Sequence, residues 1–422
     1  MLKVKDRLVF ETTKLSNGIT VHTKKTDDPF VMIRIMIPVG SAHNTGGILP
    51  GSFHFLEHLV CCRSEMHPQY KAFQKELALH GGGFNAQTWM LNTTYIVDIP
   101  SSFFHEALTG LISMVFNPRF NEDDVARERT VIINERKMRE PYFPGENELE
   151  EYKGNKWMRK HSLDLQTIFG SDQDLESMTL SMMDYLHMNN YRDSGINVII
   201  AGGIKEEDIA KILPQFELIT TYVRNNLVHY NPSQWVHQDY HEKISKDTNR
   251  FQYCLGLVLP RLSIEEFCML AFMGKFLTNH VQGPLYKWLR EENGWVYGLP
   301  TDMKRSMWDT NFELRIPLSK REHVDTVRSE LSERVVNAFR DQDLIQREFS
   351  RQVANSVFDF QTLQSVVSMA HSHLMHVGRV ITESSIDESM KQVCETGYLS
   401  SLFEKYVTPE TLGTILVVPE HE

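Results

Sequence analysis

The chain has 422 residues, 41% of them hydrophobic and 23% charged. That balance excludes a disordered protein and, at this length, a single small core; two or three domains are expected. A formal charge of -11 with no basic block excludes a general nucleic-acid binder and leaves a basic peptide as a compatible charged partner. Cys61, Cys62, Cys254, Cys268 and Cys394 are odd in number and scattered, so neither a disulfide framework nor a CxxC zinc pair is written here. The N-terminus has no apolar signal core, and no segment reaches the roughly 18 apolar residues of a membrane span. A soluble, cytoplasmic protein with reduced thiols, bound to neither membrane nor nucleic acid, is the expectation.

Along the chain, "KLSNGITVHTKK" reads as a hairpin around Asn17 and Gly18, and "VMIRIMIPVGS" as a buried strand ending in a glycine turn. Residues 50–62 have helical spacing, and 71–81 form an amphipathic helix stopped by Gly81, Gly82 and Gly83. "NTTYIVDIP" alternates as a strand. Residues 103–116 form a helix, and 121–140 a second one with an Asn121 cap and acids in its first turn. "GINVIIAGG" closes this part as a strand.

The same order then recurs. Residues 251–260 read as a strand, 263–291 as helical, 310–319 as an alternating strand, and 321–339 and 341–360 as helices, before "TLGTILVVP" ends the chain as a strand. Arg127 and Glu128 fall on Arg347 and Glu348 in this repeat, which puts Glu135 on Asn355. A duplicated unit is therefore expected, α+β in class, each copy a mainly antiparallel sheet packed with helices. The halves would span 1–217 and 243–422, joined by a linker over 218–242 where apolar periodicity is lost.

Only the first copy carries "HFLEH". His54 and His58, four apart, share one helix face, with Glu57 beside them in an apolar stretch. Two imidazoles so placed reach one zinc ion, need a third ligand, and leave a position for water that Glu57 can deprotonate. With 18 His and 55 acids, His-x-x-acid-His arises by chance roughly 0.1 times per chain, so the string is suggestive on its own. The competing reading is a helix whose histidines are exposed or bonded to carbonyls.

H-x-x-E-H is the inverzincin signature, and the chain resembles the pitrilysin/insulinase and mitochondrial-processing-peptidase family of zinc metallopeptidases. Their motif is followed by a distant glutamate ligand; here 76 residues separate His58 from Glu135. The resemblance implies Zn²⁺ held by His54, His58 and Glu135, with Glu57 as general base then acid and Glu128 supporting the metal site. "GGGFNAQTWMLNTTY" is similar to the family's glycine turn and Asn-Ala-x-Thr edge strand, which implies that a substrate peptide adds alongside Asn85 and Ala86. "GPLYKWLREENGWVY" resembles the family's C-terminal Arg and Tyr signature and implies that Arg290 and Tyr297 bind the scissile carbonyl. Phe53 and the Cys61-Cys62 pair depart from the pattern; the thiols read as small core residues rather than an oxidisable pair.

The resulting expectation is a zinc endopeptidase acting on peptides or unfolded segments inside a chamber closed by two chains. A homodimer is more economical than a pairing with an inactive homologous subunit, since catalytic and Arg/Tyr elements share one chain. General turnover and processing of a dedicated precursor or modified-peptide leader both remain open. So do a non-catalytic scaffold of the same fold and a metal-binding structural protein without turnover.

Overall fold

The structure is a computed structural model that describes residues 7–44, 46–139, 166–223, 240–246, 248–280, 282–305 and 309–420. The strands are β1 (Glu11–Lys14), β2 (Thr20–Lys25), β3 (Phe30–Ile37), β4 (Gly83–Thr88), β5 (Thr93–Pro100), β6 (Asn197–Gly202), β7 (His241–Ser245), β8 (Phe251–Pro260), β9 (Thr301–Arg305), β10 (Asp309–Leu318) and β11 (Leu412–Pro419). They form two sheets, ordered β1-β2-β6-β3-β5-β4 and β7-β11-β8-β10-β9. Apart from β1 the orders correspond strand for strand. In each sheet one pair is parallel, β2 with β6 and β7 with β11, and the others are antiparallel. The α+β duplication expected from the sequence is thus present in the topology.

The helices are α1 (Ser52–Val60), α2 (Ala72–Leu79), α3 (Phe104–Phe116), α4 (Glu122–Arg139), α5 (Gln166–Phe169), α6 (Asp172–Ser177), α7 (Leu180–Asn190), α8 (Glu206–Glu217), α9 (Ile264–Thr278), α10 (Pro284–Tyr286), α11 (Arg321–Ala338), α12 (Gln342–Asp359), α13 (Leu363–Val377), α14 (Glu383–Met390) and α15 (Tyr398–Tyr406). Asn121 caps α4 as expected, its side chain accepting from Asp124 N at 3.1 Å. The stretch 263–291 is not one helix. An added Cβ at Gly283 would sit 2.5 Å from the Asn279 nitrogen, and Pro284 disfavours helical backbone before it, so α9 ends at Thr278 and a new turn starts at Pro284. Of the expected linker, Tyr222 still bridges to Asp193 of the first half and His241 already opens β7. Its middle lies outside the described residues.

Strand β3 explains why "FVMIRIMI" has no polar alternation. Val31, Ile33, Ile35 and Ile37 face the helices α1 and α3, whereas Met32 and Met36 join Ile199 and Ala201 on the other face. Leu363, Val367, Ala370 and Leu374 of α13 cover that second face, so a helix of the C-terminal copy completes the core of the N-terminal sheet. A strand buried on both faces reads as a continuous apolar run. Arg34, inside this run, is buried and satisfied by Ile33 O, Val97 O and Asp98 Oδ1 at 2.9, 3.2 and 2.7 Å. Among the described residues, no helix is long and apolar enough to cross a membrane.

Because α13 seals this face, Leu374→Ala should lower the stability of the whole chain by about 2 to 5 kcal/mol, the cost of an unfilled core site. Urea unfolding followed at two wavelengths checks this; a loss confined to the C-terminal copy would contradict the packing just described.

Candidate active site

Helix α1 starts with no side-chain cap. Gly51, at φ 84, occupies its N-cap because a Cβ there would lie 2.3 Å from the Phe169 carbonyl oxygen. That close approach sets the Phe169 ring edge-on to His54, with centroids 4.8 Å apart. Four of the apolar residues of α1, Phe53, Phe55, Leu56 and Leu59, are fully buried in the core, so the helix cannot rotate. His54 and His58 are thereby fixed toward α4, and Glu57 toward Thr88 of β4.

Helix α4 presents two carboxylates seven residues apart, two turns along one face. Glu135 Oε2 lies 3.8 Å from His54 Nε2 and 3.5 Å from His58 Nε2. The three ligand atoms all lie within 4.8 Å of one another. Donors placed about 2.1 Å from one tetrahedral ion stand about 3.4 Å apart, so this set fits zinc with little adjustment. Glu128 Oε2 meets His58 on its other nitrogen, Nδ1, at 3.0 Å, and Glu128 Oε1 accepts from the Tyr70 hydroxyl at 2.6 Å. Outer carboxylates of this kind orient a ligand imidazole and fix its tautomer.

Glu57 does not join the cluster of three. Its Oε2 accepts from Thr88 Oγ1 at 2.6 Å, which ties the end of β4 to α1. Burial pushes its carboxyl up to about 7 against the pull of His58 and Thr88. For Glu128 the balance is reversed. Burial raises it, but His58, Tyr70 and Lys71 outweigh that and hold it at about 2. Burial would lower His58, yet Glu128 and Glu135 lift it to about 9. Cys61 and Cys62 are buried and pushed well up by burial, which makes them inert thiols.

His54, Glu57, His58, Glu128 and Glu135 line a cavity of about 890 Å³ that also takes in β4, the edge strand of its sheet, with Asn85 and Ala86 on the lining. Arg290 and Tyr297 lie elsewhere. They face each other, guanidinium 5.4 Å from the ring centroid, both exposed, and neither lines this cavity. Sequence reading passed over Tyr70, Lys71, Thr88 and Phe169. Only Thr88 had a signal, as the threonine of the Asn-Ala-x-Thr string.

Residues 20–168 match the family described as Insulinase (Peptidase family M16), and residues 177–355 match the Peptidase M16 inactive domain. The chain is 24% identical over 294 residues to an uncharacterized zinc protease of Rickettsia bellii, a match covering 69% of each protein. It is 28% identical over 213 residues to a probable mitochondrial-processing peptidase subunit beta of Schizosaccharomyces pombe, covering 49% of this chain and 44% of that one. Several curated relatives are thus matched over less than half of their length. A crystal structure of a protease from Helicobacter pylori shares the fold, with a TM-score of 0.75 at 15% identity over 97% of this chain and 99% of that one.

The Thr88 bond makes a prediction of its own. Thr88→Val keeps the shape but leaves a buried carboxylate short of a donor, and should cost about 1 to 3 kcal/mol in metal-free protein. Equal urea midpoints for the two proteins near pH 8 would show that the hydroxyl does not hold Glu57.

Proposed function

The chain belongs to the M16 (insulinase) family of peptidases, and we propose that it is a zinc-dependent endopeptidase acting on peptides and unfolded segments. One observation carries this reading: His54, His58 and Glu135 converge on the wall of an open cavity with Glu57 beside them. The two Nε2 atoms and the Glu135 carboxylate would hold the ion. Zinc bound there supplies Lewis acidity, lowering the pKa of water and polarising a carbonyl. Glu57, kept in place by Thr88, takes the proton of the attacking water and returns it to the leaving amine. Glu128 holds His58 by Nδ1 throughout, so Nε2 stays directed at the ligand cluster. A peptide adding to the outer edge of β4 next to Asn85 and Ala86 would lie across the cavity, led to Glu57 by a strand whose last residue is bonded to it.

Arg290 and Tyr297, exposed and outside the cavity lining, fit a role toward a second chain. Two copies facing each other would close a chamber and supply each cavity with the partner's Arg/Tyr pair. Such a chamber admits flexible peptides and rejects folded domains.

Glu57→Gln should bind zinc as tightly as the parent yet lose about 10²- to 10⁴-fold in peptide hydrolysis, read by mass spectrometry on a mixed peptide library. A chelator should abolish cleavage and added zinc restore it. Unchanged turnover in Glu57→Gln removes Glu57 as the base, and zinc binding with no turnover in the parent makes the protein a scaffold. If the dimer forms as proposed, mixing inactive Glu57→Gln with inactive Arg290→Ala chains should restore about a quarter of parent activity, because one site in each mixed dimer is intact. No recovery after verified subunit exchange excludes that arrangement.

A further inference from the structure

Tyr70 takes no part in the chemistry described above, yet its surroundings are the most charged of any aromatic ring near the site. Arg127, Lys71 and Arg63 lie 4.3, 5.2 and 6.0 Å from its ring centroid. The two guanidiniums are themselves anchored on buried Asp124, Arg63 Nε at 2.7 Å and Arg127 Nη1 at 3.1 Å. A ring caged by cations fixed to a common carboxylate has one orientation. In that orientation its hydroxyl donates to Glu128 Oε1 at 2.6 Å.

Lys71 contributes a second constraint. It is the one non-glycine residue among the described residues with positive φ, 52°, and it occupies the N-cap of α2. Its amide donates to Cys62 O at 2.7 Å, and its Nζ lies 3.8 Å from the same Glu128 Oε1. Left-handed backbone at a lysine costs free energy, and nothing about capping a helix calls for lysine there. Strain of this kind persists at sites where the surrounding structure requires the residue.

We propose that Tyr70 and Lys71 are positioning residues that saturate Oε1 of Glu128, leave Oε2 only the Nδ1 edge of His58, and so set how tightly His54, His58 and Glu135 hold a divalent cation. This rests on the zinc reading above. With Oε1 engaged by phenol and ammonium, the carboxylate cannot turn. Its Oε2 then keeps one proton of His58 on Nδ1, so the proton given up when a cation binds is that of Nε2, on the side of Glu135. A ligand already oriented has less freedom to lose when the ion arrives.

The test uses the full chain stripped of metal and titrated with Zn²⁺ alone against a chromophoric chelator, in the parent, His58→Ala, Tyr70→Phe and Lys71→Gly proteins. Tyr70→Phe retains the ring in its cage and should weaken zinc binding about 10- to 100-fold, the usual effect of losing an outer-shell partner. Lys71→Gly relieves the backbone strain, so its thermal midpoint should equal or exceed the parent's while its zinc affinity falls. That opposition separates positioning from a merely structural role. Unchanged affinity in both variants, with binding lost in His58→Ala, overturns this inference and leaves the zinc site standing. Affinity and thermal midpoint falling together in Lys71→Gly assigns the residue to the fold and also overturns it. A parent that binds zinc no better than His58→Ala removes the zinc reading, and this inference with it.

Discussion

The site depends on the approach of α4 to α1, which gives buried ionisable groups their partners. A lone carboxylate or imidazole within this core would be discharged or would unfold the region. Glu128 reaches His58 on one nitrogen and Glu135 reaches it on the other, so neither helix can shift along its axis without stranding a charge. In the metal-free protein the carboxylates of Glu57, Glu128 and Glu135 face the ammonium of Lys71 and the imidazole of His58, which Glu128 and Glu135 keep protonated.

The second copy shows the alternative solution. Glu348, aligned with Glu128, is equally buried on α12, but its oxygens meet Arg351 at 2.6 and 2.7 Å, Gln352 at 2.9 Å and Asn279 at 3.0 Å. An ion pair within one helix and two amides take the place of the imidazole, the phenol and the lysine. The carboxylate is satisfied locally and needs nothing from outside the protein. The same topology thus holds one buried glutamate closed and the other open toward a ligand cluster, and the difference lies in a handful of side chains.

The sequence disclosed whatever depends on short spacing. The i, i+4 histidines, the Asn17-Gly18 hairpin, the alternation in β5 and the Asn121 cap each follow from residues within a turn of one another. Glu135 belongs to a different category, because 76 intervening residues carry no local signal. Only the likeness to a family pointed to it. Tyr70, Lys71 and Phe169 were illegible because their meaning is a contact with α1 or α4 made through the tertiary fold. The break at Gly283-Pro284 was written in the sequence and lost under the apolar periodicity on both sides of it. Arg290 and Tyr297 are a subtler case. Their spacing is visible, but within this chain Arg290 meets the Tyr297 ring and the Val296 carbonyl, and neither side chain reaches the cavity lining.

Strand β5 connects the candidate site to the C-terminal copy. On one side Thr93 lies 3.3 Å from Thr88, which bonds Glu57; on the other Thr94 lies 3.0 Å from His371 of α13. Adjacent residues of a strand point to opposite faces, so one strand faces the candidate site on one side and the C-terminal copy on the other. Burial and the charge of Arg34 hold His371 at about 4, hence neutral, which suits an uncharged contact with a hydroxyl between two packed layers. The C-terminal copy has no metal cluster among its described residues, yet it packs against the rear of the N-terminal sheet. That explains in physical terms why a half without a metal cluster among its described residues is retained: β3 and β6 are central strands with two apolar faces, and α13 of the second copy covers one of them.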